Sequence, residues 1–155
     1  DASLVFEGAT ADDFETTVSV TDPTADRTIT LPDATTTVAG LAVTQSFTKA
    51  QRGSVVALTD AATIAVDLSL GNNFSVTLAG NRTLGAPTNQ TAGQSGVIVV
   101  TQDGTGSRTL AYNSVYKFAG GTAPTLTTTA SAVDVLAYYV ESATRITVTS
   151  LLNVS

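Results

Sequence analysis

The chain has no histidine, cysteine, methionine or tryptophan among its 155 residues. Histidine is the usual general base and metal ligand near neutral pH, and cysteine supplies thiolate nucleophiles, disulfides and zinc ligands. Their absence excludes a Ser-His-Asp or Cys-His catalytic arrangement, a disulfide framework and a zinc centre built from His and Cys. Any catalysis would depend on hydroxyls, carboxylates and the two lysines, Lys49 and Lys117.

Charged and aromatic residues are scarce as well, at 13% and 6% of the chain, whereas 43% of the residues are hydrophobic. We therefore expect a core made mainly of Val, Leu, Ile and Ala. A surface of Thr, Ser, Gly and Ala with so few charges is typical of a module that packs against copies of itself, because charged side chains are depleted at the centre of interfaces.

The net charge of −6 is unevenly distributed along the chain. The first 40 residues contain eight acidic side chains against one basic side chain, Arg27, and the remainder is nearly balanced. Nucleic-acid binding requires a clustered basic face, which this chain lacks. No apolar run approaches the roughly 18 residues of a membrane-spanning helix. We therefore expect neither a nucleic-acid partner nor membrane insertion.

Residues 1–40 show the strict alternation of half-buried strands. The pattern predicts strands at 4–7, 14–20 and 27–31, with a turn at Asp22-Pro23 between the last two. We interpret residues 1–40 as a small repeat unit with an anchoring role, which needs neighbours because a few short strands are marginal in water. Residues 41–53 are predicted to be a connector, with a turn or two of helix over 45–52.

Residues 54–155 contain short alternating segments separated by Gly and Asn turns. The segments predicted as strands are 54–58, 63–70, 73–79, 81–85, 96–102, 107–112, 115–118, 133–141 and 144–151. The apolar run 97–100 predicts a central strand buried on both faces. The last two segments predict a hairpin that turns near Ser142 and Ala143. The expected fold class is all-β, a jelly-roll-like antiparallel β-sandwich over 54–155.

Carboxylates offer the remaining route to catalysis or metal binding. Asp12, Asp13 and Glu15 are close in sequence, but they lie at the entry to a strand and match no glycosidase arrangement. Asp103-Gly104 begins a loop that could bind calcium, yet Asp-Gly is also a common hairpin turn. We predict no catalytic, cofactor-binding or metal-binding residues.

Four tyrosines occur late in the chain and could line a surface that binds sugars. Tyr138 and Tyr139 are adjacent in one predicted strand, so they point to opposite faces. Tyr112, Tyr116 and Lys117 form the candidate recognition site, with burial of the tyrosines in the core as the alternative.

Two sets of motifs resemble proteins of tailed bacteriophages. The segments LVFEGATADDFETT at 4–17 and TDPTADRTITLPD at 21–33 resemble a repeat in virion structural proteins, particularly those of marine phages. The second set is similar to a C-terminal module of phage tail-fibre-like and other virion proteins. It comprises QSFTKAQR at 45–52, GNRTL at 80–84, TQDGTGSRTL at 101–110 and KFAGGT at 117–122.

The resemblance implies a non-enzymatic virion structural protein: a fibre, a spike or a capsid-decorating appendage. Its expected partners are two further copies in a homotrimer, capsid or tail proteins, and host surface glycans. No cofactor is expected. A capsid cement protein and a free carbohydrate-binding or adhesin module remain as alternatives. A depolymerase would require a carboxylate pair in a groove.

Overall fold

A computed structural model describes residues 3–10, 12–30, 33, 44 and 46–154. The chain divides into two compact units, Asp1–Ser46 and Phe47–Ser155. The described residues contain eleven strands, two short 3-10 segments and no α-helix, so the all-β prediction is confirmed. The strands are β1 Ser3–Glu7, β2 Glu15–Ser19, β3 Val55–Ala57, β4 Thr63–Ile64, β5 Asn73–Leu78, β6 Arg82–Leu84, β7 Ser95–Gln102, β8 Leu110–Tyr112, β9 Tyr116–Phe118, β10 Val133–Ser142 and β11 Arg145–Leu151.

In the described part of the first unit, the strands form a two-stranded antiparallel hairpin, β1–β2. Leu4 pairs with Val18, and Glu7 lies opposite Glu15, an unfavourable pairing of like charges. Every residue of both strands is exposed. The predicted strand at 27–31 is absent over 27–30, and Leu31 is outside the described residues. Ile29 is 82% exposed, so the alternating pattern of the predicted strand does not correspond to a buried face within this unit.

The connector prediction included a helical turn over 45–52. Gln45 lies outside the described residues, and 46–52 form no helix. Ser46 and Thr48 have the chemistry of helix caps, but the following segment has no apolar face to pack. Tertiary packing supplies most helix stability, so the local signal was insufficient.

The second unit is a stack of β-coils closed by a hairpin. The chain alternates between a six-stranded sheet, in the order β3-β5-β7-β10-β11-β9, and a three-stranded sheet, β4-β6-β8. Strands β3, β5 and β7 are parallel to one another, as are β4, β6 and β8. Each circuit therefore returns the chain beside the strand of the previous circuit, in the same direction. The hairpin β10–β11 pairs antiparallel with β7.

The jelly-roll topology is not confirmed, because a jelly roll is antiparallel and most strand pairs of the second unit are parallel. Alternation in a sequence reports which side chains face the core and carries no information on strand direction. Strands β10 and β11 match the hairpin predicted at the end of the chain, and it turns after Ser142.

Side chains at equal register stack across the coils to form the core. Val56, Phe74 and Ile98 form one column of the six-stranded sheet. Ile64 and Leu84 are paired in the three-stranded sheet and are almost fully buried. In the segment 97–100, Ile98 and Val100 are buried, but the other two residues point outward and are only partly buried. The segment predicted to be covered on both faces is therefore covered on one.

Candidate functional site

On the outer face of the six-stranded sheet, the charged side chains of the strands are Glu141 on β10, Arg145 on β11 and Lys117 on β9, and the rest of the face is uncharged. We call this surface the uncharged face; it consists of Val55, Ala57, Asn73, Ser75, Thr77, Val97, Val99, Thr101, Val133, Val135, Ala137, Tyr139, Thr147, Thr149 and Leu151. It exists because, apart from Glu141 and Arg145, every second residue of these strands is Val, Ala, Thr or another uncharged residue, while the intervening residues fill the core.

The register aligns these residues in rows across the sheet. Ala137 lies beside Val97, and Val135 beside Val99, in the central strands β10 and β7. At the margins Val55 is 63% exposed and Leu151 is 64% exposed. Five strands spaced about 4.8 Å apart make the face roughly 20 Å wide. Solvent-facing sheet surfaces of monomers normally contain charges that oppose association, so this composition points to a buried surface.

Charged side chains gather at one margin of the uncharged face. Arg145 Nε donates to Glu141 at 2.7 Å, and the Thr147 hydroxyl donates to the same carboxylate. Both hydrogen bonds lower the pKa of Glu141, and the bond from Thr147 lowers it more than the bond from Arg145 does. Lys117 lies opposite Thr147 on the edge strand β9. An uncharged centre with a charged margin is the anatomy of a protein interface.

The sequence-predicted recognition residues lie together around an open groove beside β8 and β9. The groove has a volume of about 640 Å³, and its lining includes Tyr112, Asn113, Ser114, Tyr116, Lys117, Phe118 and Arg145. We call it the Lys117 groove. The sequence therefore grouped three residues that the fold also groups. Phe118 and Arg145 are not among the sequence-predicted residues, and Arg145 belongs to a strand distant in sequence, so no local pattern indicates it.

The two tyrosines differ in what they offer a ligand. Tyr116 is 6% exposed, and its hydroxyl donates to the Gly85 carbonyl at 3.1 Å, so it is mainly a core residue. Tyr112 is partly buried and contacts Phe118 edge-on, with ring centroids 4.8 Å apart. The Tyr112 hydroxyl is buried without a partner in the described part of the chain. Burial raises the pKa of both tyrosines.

Lys117 supplies an uncompensated positive charge in the groove. Its Nζ donates to the Ser114 carbonyl at 2.6 Å. Over residues 46–154 no carboxylate lies within ion-pair distance of Lys117, whereas Arg82, Arg108 and Arg145 each pair with an acid. No Asp or Glu of the described chain lines the groove.

The carboxylates weighed as catalytic or metal-binding groups have structural roles or are dispersed. Asp12 Oδ1 accepts the Phe14 N–H at 2.9 Å in a turn before β2. Asp103 Oδ1 accepts the N–H groups of Thr105 and Gly106, and its Oδ2 accepts two bonds from Arg108. Within the described ranges no cluster of three acidic side chains could hold a metal ion. No helix in those ranges is long and apolar enough to span a membrane.

The all-β fold and its uncharged sheet face are features of a structural protein that assembles with others. The family model described as "Putative phage tail fibre C-terminal domain" matches residues 29–141. The chain therefore belongs to this family of phage tail-fibre domains, which confirms the predicted tail-fibre-type virion protein and its location in the virion. Neither a curated protein nor a solved structure matches the chain.

Proposed function

We propose that this chain is a non-enzymatic structural part of a phage tail fibre and forms a homotrimer through the uncharged face. The observation that carries the proposal is an uncharged patch that extends over five strands, with the paired side chains of Glu141 and Arg145 only at its margin. Val97 and Val99, in a central strand, would be covered by the same residues of another copy. The apolar residues of that strand would then be buried on both faces of the sheet.

The size of the face supports association of several copies. A surface about 20 Å wide and about as long covers roughly 400 Å², about half of what each partner contributes to a standard interface. A second contact is therefore needed. The β1–β2 hairpin offers one, because Leu4, Phe6 and Val18 share a face and are each more than half exposed. A lone hairpin is marginally stable, so contact with other copies would stabilise it.

Membership of a tail-fibre family favours three copies over two, because fibres of virions are commonly trimeric. A two-fold dimer would bury the same face, with two sheets packed about 10 Å apart. The two assemblies differ in mass, which makes the choice measurable. Contact with other virion proteins and with host glycans, the latter through the Lys117 groove, completes the proposed role.

A matched pair of variants, in each of which one alanine is replaced by lysine, tests this interface. Ala137 lies in the middle of the uncharged face, and Ala92 lies in an exposed turn outside it. Ala137→Lys places three like charges in one buried contact and should convert the trimer to monomers in sedimentation velocity. Ala92→Lys adds the same charge and should leave the trimer intact. Circular dichroism spectra must match for both variants; equal sedimentation of the two would overturn the proposed interface.

A further inference from the structure

The Lys117 groove combines a free cation with aromatic walls. Lys117 Nζ uses one of its three N–H bonds on the Ser114 carbonyl, at 2.6 Å, and two remain for a ligand. Arg145 also lines the groove, and its guanidinium donates to Glu141 through Nε, which leaves its terminal nitrogens for a ligand. Both charges therefore face the groove with donors that are not used within the described chain.

The neutral polar groups of the groove are donors too. Asn113 Oδ1 already accepts the Val115 N–H at 3.1 Å, so its amide NH₂ is the part left for a ligand. The Ser114 hydroxyl lines the same surface. With no carboxylate in the lining, the groove lacks the strongest acceptor for the hydroxyls of a neutral sugar. A ligand rich in acceptors and negative charge fits better.

The aromatic walls are suited to a sugar ring. Phe118 and Tyr112 are partly buried and pack edge-to-face, with centroids 4.8 Å apart. Aromatic faces carry negative charge density, which attracts the polarised C–H groups of the apolar side of a pyranose. A small inorganic anion would leave this apolar surface uncovered.

We propose that the Lys117 groove binds an acidic saccharide, with a sugar carboxylate on Lys117 and Arg145 and the ring against Phe118. This inference rests on the proposed role in host contact and adds the chemical class of the ligand. The positive groove contrasts with the chain's net charge of −6, so the attraction is local and salt should weaken it.

The experiment compares trigalacturonate with its fully methyl-esterified form, which keeps the rings and removes the charges. Amide chemical shifts of the ¹⁵N-labelled full chain are followed during titration. Trigalacturonate should shift amides over 110–121 and at Arg145, and the ester should bind at least about fivefold more weakly, as expected for loss of one exposed ion pair of about 1 kcal/mol.

Lys117→Gln is the test variant, and Lys49→Gln, at the other lysine of the chain, is its matched control. The first should weaken trigalacturonate binding about fivefold, and the second should leave it unchanged. Equal binding of acid and ester, shifts outside the groove, equal loss in both variants, or no binding at millimolar ligand would overturn the inference. Light scattering on the same samples reports the trimer separately, so failure of the assembly is distinguishable from failure of the groove.

Discussion

Asp134 ties three segments of the second unit together through one buried carboxylate. It is 2% exposed and accepts hydrogen bonds from the Thr127 N–H, the Thr127 hydroxyl and the Asn153 N–H, each at 2.8 Å. These bonds attach the loop before β10 and the segment after β11 to the sheet. A buried acid is tolerated here because its acceptor sites are occupied by donors.

Replacing this carboxylate should destabilise the fold. Asp134→Ala leaves two backbone N–H groups without acceptors and should lower the free energy of unfolding by about 2–4 kcal/mol. Asp22→Ala, at an exposed position, should change it by less than about 0.5 kcal/mol. Urea unfolding at a fixed protein concentration measures both, and equal midpoints would contradict the assigned role of Asp134.

Gly96 is required by a close approach between backbone segments. A Cβ at this position would lie 1.7 Å from the Asn72 carbonyl oxygen, which also accepts the Tyr138 hydroxyl at 2.9 Å. The neighbouring atom is backbone, so it cannot rotate away. The glycine therefore belongs to the strand for steric reasons, although glycine normally weakens strands.

A matched glycine pair tests this contact. Gly96→Ala should lower the free energy of unfolding by at least about 3 kcal/mol, or abolish soluble expression, because the added methyl group would force the backbone at Asn72 and strand β7 apart. Gly104→Ala has no atom within 4 Å of the new Cβ and should be nearly neutral. The melting temperatures of the two variants are compared. If Gly96→Ala melts at the same temperature as Gly104→Ala, the backbone at Asn72 moves away from residue 96 at little cost and glycine is not required there.

At the scale of elements, strands β8, β9 and β10 each contribute a tyrosine whose pKa is raised. Burial raises the pKa of Tyr112 and Tyr116, and it raises that of Tyr138 to about 12. In the unfolded chain tyrosine loses its proton near pH 10. Between about pH 10 and about pH 12 the folded state therefore holds more protons than the unfolded state, so the free energy of unfolding falls as the pH rises.

This linkage predicts alkaline unfolding that tracks tyrosine ionisation. The melting temperature should be flat from about pH 8 to pH 10 and fall steeply from about pH 10 to pH 12. Tyrosinate absorbance recorded with circular dichroism shows whether ionisation and loss of structure coincide. Ionisation of Tyr112, Tyr116 and Tyr138 near pH 10 with the sheet intact would contradict their buried placement.

The sequence predicted most strands of the second unit and their inward faces, because burial produces alternation that is visible locally. Strands β5 and β11 fall within predicted segments, and β7 and β10 each extend one residue beyond theirs. Strand direction could not be predicted, since parallel stacking depends on which segment the chain returns to. Thr63 and Ile64 form a strand by pairing with β6, whereas the rest of the predicted segment 63–70 has one bridge, between Asp67 and Thr88, and ends in a 3-10 segment at Leu68–Leu70.

The candidate site was predictable in part. Tyr112, Tyr116 and Lys117 are close in sequence and remain close in the fold. Arg145 joins them through the parallel pairing of β9 with β11, which no local pattern indicates. The uncharged face was visible only as scarcity of charge, because its rows depend on the register of five strands.

At the scale of the whole molecule, two features support the proposed association with other copies of the chain: the uncharged face and the exposed β1–β2 hairpin. Each is a surface that a monomer would leave in water at a cost in stability and solubility. A fibre domain that assembles with copies of itself covers both. The scarcity of charged side chains leaves few groups for catalysis, and the same scarcity favours the proposed assembly.

The mass of the purified chain in solution, measured by light scattering after size exclusion, is the most direct test of the proposed trimer. We expect a particle of three times the 15.7 kDa chain mass that persists at micromolar concentration and in high salt, since the uncharged face contains no charges. A particle of 15.7 kDa across the accessible concentrations would contradict it.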